Sequence, residues 1–311
     1  MPKAIDIAYV VYQVPDLDRM QEFLEDFGML TAARSAEQLC MRGAGSAPVI
    51  HVTRRGDGAS FLGGALQMES RQDLEALAKF PGSSAVELID DLPGGGWRVR
   101  MITPDGVCID GIWGQQLAQP HALRDPHAFN AASEKRRINL SVRPKREPGL
   151  VSRLGHFVLR TSNHARTKAW FQERFDLIDT DYLCVPSDES RVIGTFVRFN
   201  RGTQPVDHHS MLIVQSEAPG VHHCSFEMQD LDMVFGAHDY LLEKGYVLEC
   251  GVGRHLVGSQ IFDYWRDPFN FRVEHYTDGD MADNNYEPNR YAVAADDTTQ
   301  WGPQPPKAFF D

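Results

Sequence analysis

The sequence predicts an α+β protein of two domains, each made of two copies of a strand–helix–strands unit that curls into a half-closed barrel around a cleft. Three observations carry this. The chain has 311 residues, 42% hydrophobic and 24% charged, an ordinary globular composition with room for two cores of about 150 residues each. An apolar strand, a polar break and an amphipathic helix occur in that order near the start of each half. A second such unit follows in each half and closes with a strand after a proline, so the unit occurs four times.

In the first unit, residues 7–30 give an apolar strand, a break at Pro15 and Asp16, then a helix with Met20, Phe23, Leu24 and Phe27 at helical spacing. Residues 155–178 follow the same plan, with Ala169, Trp170, Phe171 and Phe175 in the helical part. Aligning Phe27 with Phe175 sets Ala8 opposite His156. The second units, residues 62–80 and 221–245, align through Met68 and Met228, which sets Gly63 opposite His223. The closing strands, within residues 103–114 and 267–279, set Asp110 opposite Glu274. A strand followed by a short helix and a meander cannot bury both of its faces alone, so the units must pair. Residues 114–153 are rich in Pro, Arg and Lys without sustained periodicity and read as a linker between the halves. The final segment carries Tyr286, Tyr291, Trp301, Phe309 and Phe310, aromatic enough to pack on the body.

Composition narrows the partners. A net charge of −12 without a Lys/Arg run repels nucleic acid and anionic membrane surfaces, which leaves a small molecule as the expected ligand. The five cysteines, Cys40, Cys108, Cys184, Cys224 and Cys250, are scattered and never in C-x-x-C spacing. They form neither a disulfide framework nor a zinc knuckle and suit a reducing, cytoplasmic setting. The opening stretch has no basic region before a long apolar core, and no apolar run is long enough to span a bilayer.

The repeat scaffold then locates the chemistry. His156, His223 and Glu274 occupy equivalent places in the second half, and two imidazoles with one carboxylate can hold a divalent ion on one face while leaving the other open. A lone histidine is usually an ordinary core or surface residue; three at repeat-equivalent positions are not easily explained that way. The equivalents Ala8, Gly63 and Asp110 offer one ligand, so the first half is expected to be metal-free. At His222–His223 neighbouring side chains on a strand face opposite ways, so the alignment selects His223 and sends His222 outward. The same parity problem applies to His208–His209.

The segments GHFVLRT, HHSMLIV, VHHCSFEM, GRHLVGSQIFDYWRDPFNFRVEHYTDGD and WGPQPP together resemble the type I extradiol ring-cleavage dioxygenases of the vicinal oxygen chelate superfamily, across both domains and the tail. The resemblance implies paired βαβββ repeats, with residues 1–135 as a metal-free N-terminal domain, 150–280 as the catalytic metal-binding domain and 281–311 as a tail packing over the active site. It implies His156, His223 and Glu274 as ligands of Fe(II), or of Mn(II) in its place, and His209 as the active-site acid/base, with His208 as the one-residue alternative. It implies His255 and Tyr264 as the pair contacting the bound diol. The implied reaction inserts both atoms of O2 into a catechol or trihydroxylated aromatic, in a homo-oligomer.

The chemistry is consistent with the residues themselves. Adjacent hydroxyls of a catechol can chelate a divalent ion, whose charge lowers the pKa of at least one of them, and an imidazole can exchange protons near neutral pH. Zinc hydrolysis is the rival for such a ligand set, but no H-E-x-x-H helix is present. An isomerase or lyase on the same scaffold, or a metal-free binding protein, are the other classes. Family members that take acidic catechols tend to carry Arg just before the WG pair; here Asp296 and Asp297 precede Trp301. That favours a neutral substituent, unless Arg198 or Arg254 swings in as a clamp.

Overall fold

The repeat pattern materialises as two open mixed sheets in a computed structural model, which describes residues 1–294 and 297–309. The first unit is β1 (Ala4–Val14), α1 (Leu17–Asp26), β2 (Leu30–Arg34), β3 (Gln38–Arg42) and β4 (His51–Arg55). The second is β5 (Ser60–Met68), α2 (Arg71–Leu77), β6 (Glu87–Leu88), β7 (Trp97–Ile102) and β8 (Cys108–Trp113). The third comprises β9 (Val151–Thr161), α3 (His164–Phe175), β10 (Leu177–Val185), β11 (Asp188–Phe199), the two-residue β12 (Val206–Asp207) and β13 (Met211–Gln215). The fourth is β14 (Gly220–Met228), α4 (Leu231–Glu243), β15 (Val247–His255), β16 (Ile261–Arg266) and β17 (Arg272–Thr277). The tail adds β18 (Met281–Ala282), β19 (Asn289–Tyr291), β20 (Thr299–Trp301) and a 3-10 turn at Lys307–Phe309.

The first sheet runs β2-β3-β4-β1-β5-β8-β7-β6 and the second β19-β10-β11-β13-β9-β14-β17-β16-β15-β20. In each, the first strands of the two units pair antiparallel at the centre, β1 with β5 and β9 with β14. Each then pairs in parallel with the last strand of a unit, β1 with β4, β5 with β8, β9 with β13 and β14 with β17. Neither sheet closes on itself, so each curls around a cleft with open edges, and β19 and β20 cover the two edges of the second sheet.

The helices begin where the polar breaks predict. Asp16 caps α1 by accepting from the backbone N–H groups of Asp18 and Arg19, Asn163 caps α3, and Asp230 caps α4. Met20, Phe23, Leu24 and Phe27 of the first half are buried in one cluster with Phe171, Phe175, Phe226 and Trp265 of the second. Phe27 stacks on His275 with ring centroids 3.7 Å apart, and the His275 Nε2–H donates to the Phe27 carbonyl at 2.7 Å. The two halves therefore share one apolar core, whose burial removes apolar area from water in both at once. Among the described residues no helix is long and apolar enough to cross a membrane.

Candidate metal centre

Strand register brings the predicted ligands together. His156 on β9 lies beside Ser225 on β14, Ser225 beside Glu274 on β17, and Glu274 beside Tyr264 on β16. One row thus crosses four adjacent strands on one face. His223, two residues before Ser225, projects from the same face. The small, buried Ser225 leaves the space over the middle of the row to the flanking side chains.

The three polar ends meet closely. His156 Nε2 lies 3.2 Å and His223 Nε2 3.3 Å from Glu274 Oε2, and the two Nε2 atoms are 3.3 Å apart. Ligands held at about 2.0–2.2 Å from a divalent ion stand roughly 3.0–3.5 Å apart, so this triangle fits one ion. Among the described residues it is the one His/Cys/Asp/Glu group close enough to hold a metal. Glu274 is fully buried, yet its Oε2 has no hydrogen-bond donor of good geometry, a costly state for an anion unless a cation sits beside it. Burial alone would raise the Glu274 carboxyl. The imidazoles of His156, His223 and His255 outweigh it and hold the group well below the usual carboxylate range. Burial lowers His223 to about 4, against the pull of Glu274, so its imidazole is neutral and free to ligate at neutral pH.

His255 and Tyr264 stand beside this triangle. His255 Nε2 is 2.8 Å from the Tyr264 hydroxyl and 3.2 Å from Glu274 Oε1, and its ring stacks on Phe262 at 3.8 Å. Burial, with the Glu274 charge second, pushes the Tyr264 phenol well above its ordinary value, so it stays a donor. His209 lies with its ring 4.3 Å from His156 and lines the same cleft. His208 does not line it; it packs behind His209 against Phe196 and Tyr286. Burial, then the neighbouring His156 and His208, lower His209 well below its ordinary value.

The cleft above the triangle, about 700 Å³ counting the solvent at its open mouth, is mainly apolar away from the ligands: Val158, Leu183, Phe196, Leu212, Val214 and Val257 form one wall, with the amide of Gln260 also in the lining. The tail contributes Thr298 and Phe309 to its rim. Phe309 is buried, with its ring 4.8 Å from that of Tyr264. Trp301 is exposed and Asp296 lies outside the described residues. Arg198 and Arg254 are committed elsewhere. The Arg198 guanidinium donates to the Asp179 and Asp283 carbonyls, and Arg254 pairs with Asp278 at 2.7 Å. No Arg or Lys lines the cleft among the described residues.

Two expectations need correction. His222 does not face outward: a bulge in β14 between Val221 and His223 turns it inward, where it is buried with its Nδ1 2.6 Å from His223 Nδ1 and its Nε2 2.7 Å from the Phe309 carbonyl. Simple strand parity fails at a bulge. The repeat partner of His156 is Tyr9 rather than Ala8. Tyr9 lies beside Ala65 and Ala65 beside Asp110, which matches the row His156–Ser225–Glu274. Continuing that row, Arg100 stands where the second half has Tyr264.

In the first half the Arg100 guanidinium therefore sits 3.1 Å from Asp110, and the Tyr9 hydroxyl donates to the same carboxylate at 3.4 Å. A side-chain cation neutralises the carboxylate there. Gly63, in place of His223, has φ of +150°, and a Cβ on it would lie 1.8 Å from the Cys108 carbonyl oxygen, so this position has no room for a ligand side chain. Asp181, behind His208, is a further buried group that sequence reasoning missed. Its signal was a pair of acidic residues, Asp179 and Asp181, within the otherwise strand-like run of residues 177–185.

Comparison with known proteins agrees with this geometry. Residues 153–275 match the Glyoxalase/Bleomycin resistance protein/Dioxygenase superfamily. The chain is 26% identical over 317 aligned positions to metapyrocatechase 2 of Cupriavidus necator, covering 97% of this chain and 90% of that protein. Its fold is that of the Mn(II)-bound glyoxalase from Novosphingobium aromaticivorans (TM-score 0.81, 23% identity, 99% of this chain and 94% of that one). It is equally that of homoprotocatechuate 2,3-dioxygenase from Brevibacterium fuscum in complex with 3,4-dihydroxyphenylacetate (TM-score 0.80, 20% identity, 99% and 92%). The 2,3-dioxygenase LapB from Pseudomonas sp. KL28 is also similar (TM-score 0.76, 19% identity, 93% and 97%). The matched residues lie in the half of the molecule that holds the His156–His223–Glu274 triangle.

Proposed function

We propose that this protein is an extradiol dioxygenase that cleaves a catechol or trihydroxylated aromatic bearing a neutral substituent, with both oxygen atoms of O2 entering the product. The observation that carries this reading is a two-histidine, one-glutamate triangle at the floor of a largely apolar cleft, ringed by His209, His255 and Tyr264. The likeness to metapyrocatechase 2 supports it. His156, His223 and Glu274 would hold Fe(II), or Mn(II) in its place, which when bound supplies charge to ionise the diol and a shared template for diol and dioxygen.

The chain's own groups do the rest. Tyr264 and His255 hydrogen-bond a diol oxygen, and the ring stack on Phe262 supports this by fixing the plane of His255. His209, whose ring lies 4.3 Å from that of His156, moves a proton at Nε2. The apolar wall of Val158, Phe196, Leu212 and Val257 takes the ring substituent and keeps water from the diol. Domain roles follow from the same reading: residues 150–280 catalyse, residues 1–135 support them, and residues 281–311 close the cleft.

The test is oxygen uptake by Fe(II)-loaded protein given 3-methylcatechol or 2,3-dihydroxybiphenyl, with the yellow ring-opened product followed by absorbance. One O2 consumed per diol is expected. Diol turnover without oxygen uptake would instead indicate an isomerase or lyase on this scaffold.

A further inference from the structure

Behind the cleft, three buried groups form a chain whose proton positions can be assigned from geometry. Asp181, on β10, is 1% exposed, His208 2% and His209 3%. Asp181 Oδ2 is 2.8 Å from His208 Nε2, and His208 Nδ1 is 3.0 Å from His209 Nδ1. The tail holds the carboxylate: the Tyr286 hydroxyl donates to Oδ2 at 3.0 Å and the Asn289 backbone N–H to Oδ1 at 2.7 Å. Gly258, at φ +80°, packs against both imidazoles, since a Cβ there would lie 3.2 Å from His208 Nδ1 and 3.5 Å from His209 Cε1.

A carboxylate only accepts, so the His208 proton sits on Nε2. A neutral imidazole protonated there has a bare Nδ1, and two bare nitrogens do not approach to 3.0 Å without a proton between them. With His208 neutral, His209 carries its proton on Nδ1 and presents the lone pair of Nε2 to the cleft. We propose that Asp181 and His208 are positioning residues that lock His209 in the Nδ1–H tautomer, leaving Nε2 able to take a proton from a bound hydroxyl and return it to the product. The second half of this statement rests on the ring-cleavage reading; the tautomer assignment does not. In the transfer, the substrate O–H bond breaks, an Nε2–H bond forms, and the Nδ1–H bond to His208 persists throughout, so no proton need leave the buried chain.

Asp181→Asn should invert the chain. The Asn289 backbone N–H is a fixed donor, so the new amide must place its oxygen toward Asn289 and its NH2 toward His208. His208 Nε2 then accepts, its Nδ1 is protonated and donates to His209 Nδ1, and His209 is left with Nε2–H facing the cleft. A comparable carboxylate-to-amide exchange in a serine-protease triad acts through the wrong tautomer.

The experiment is long-range 1H–15N correlation on metal-free protein labelled at histidine, with His208 and His209 signals assigned by their loss in His208→Gln and His209→Asn. A bare Nε2 on His209 and a bare Nδ1 on His208 are expected. A protonated Nε2 on His209, or a doubly protonated His208, overturns the proposal whether or not the protein cleaves catechols. In Asp181→Asn the pattern should invert, with kcat lowered about a hundredfold or more and KM for the diol within about threefold. An unchanged tautomer with unchanged kcat overturns it. If Asp181→Asn does not fold, the wild-type spectrum decides alone. Wild-type protein with the expected tautomer and no oxygen uptake would refute the ring-cleavage reading and leave the tautomer lock standing.

Discussion

The charge of the substrate's side chain gives the sharpest check on the cleft. The perturbation is made in the ligand: the methyl group of 3-methylcatechol is compared with the carboxymethyl group of homoprotocatechuate. The wall that would receive it is Val158, Leu183, Phe196, Leu212, Val214 and Val257, with no Arg or Lys among the described lining residues. Arg198 and Arg254 are held by carbonyls and by Asp278. Burying a methyl gains about 0.8 kcal/mol. An ionised carboxylate against the same wall loses water without gaining an Arg or Lys partner, and because the cleft is open to solvent we take the cost at the low end of effective burial penalties, about 2–3 kcal/mol. The difference, about 3–4 kcal/mol, corresponds to roughly a hundredfold to several hundredfold in kcat/KM. Initial rates of oxygen uptake over a concentration series of each diol, at fixed iron loading, measure it. Equal specificity constants, or a preference for the acid, would show that a cation reaches the cleft and refute the reasoning.

Two other outcomes follow from buried charge. Glu274→Gln removes the anion from the triangle and should lower metal retention after dialysis, measured by mass spectrometry of metals, by about a hundredfold or more. Arg100→Leu leaves Asp110, whose side chain is 8% exposed, with only the neutral Tyr9 hydroxyl and Cys108 thiol as donors, and should cost about 2–4 kcal/mol in urea unfolding, most of it recovered on adding Asp110→Asn.

The repeat was legible because each unit needs the same things from its sequence. These are an apolar strand, a polar cap such as Asp16 or Asn163, and helix residues spaced to bury one face. The spacing of His156, His223 and Glu274 within that repeat was legible for the same reason. The Ala8 alignment slipped by one because helix positions were matched across a break whose length the sequence does not constrain, whereas the register of β1 on β5 does. His222 was misplaced because a bulge breaks the two-residue alternation, and nothing in VHHC announces one.

The sequence by itself determined the composition of the units, their fourfold recurrence and the residue types available for ligation, since these depend on local periodicity and on order along the chain. Only the tertiary structure decided that Arg100 stands in one half where Tyr264 stands in the other, that Asp181 backs His208, and that the Phe309 carbonyl reaches His222. Each of these is a contact between residues far apart in sequence. Their distances are set by strand register and by how the tail crosses the sheet edges, which follow from packing of the whole chain and not from any local pattern.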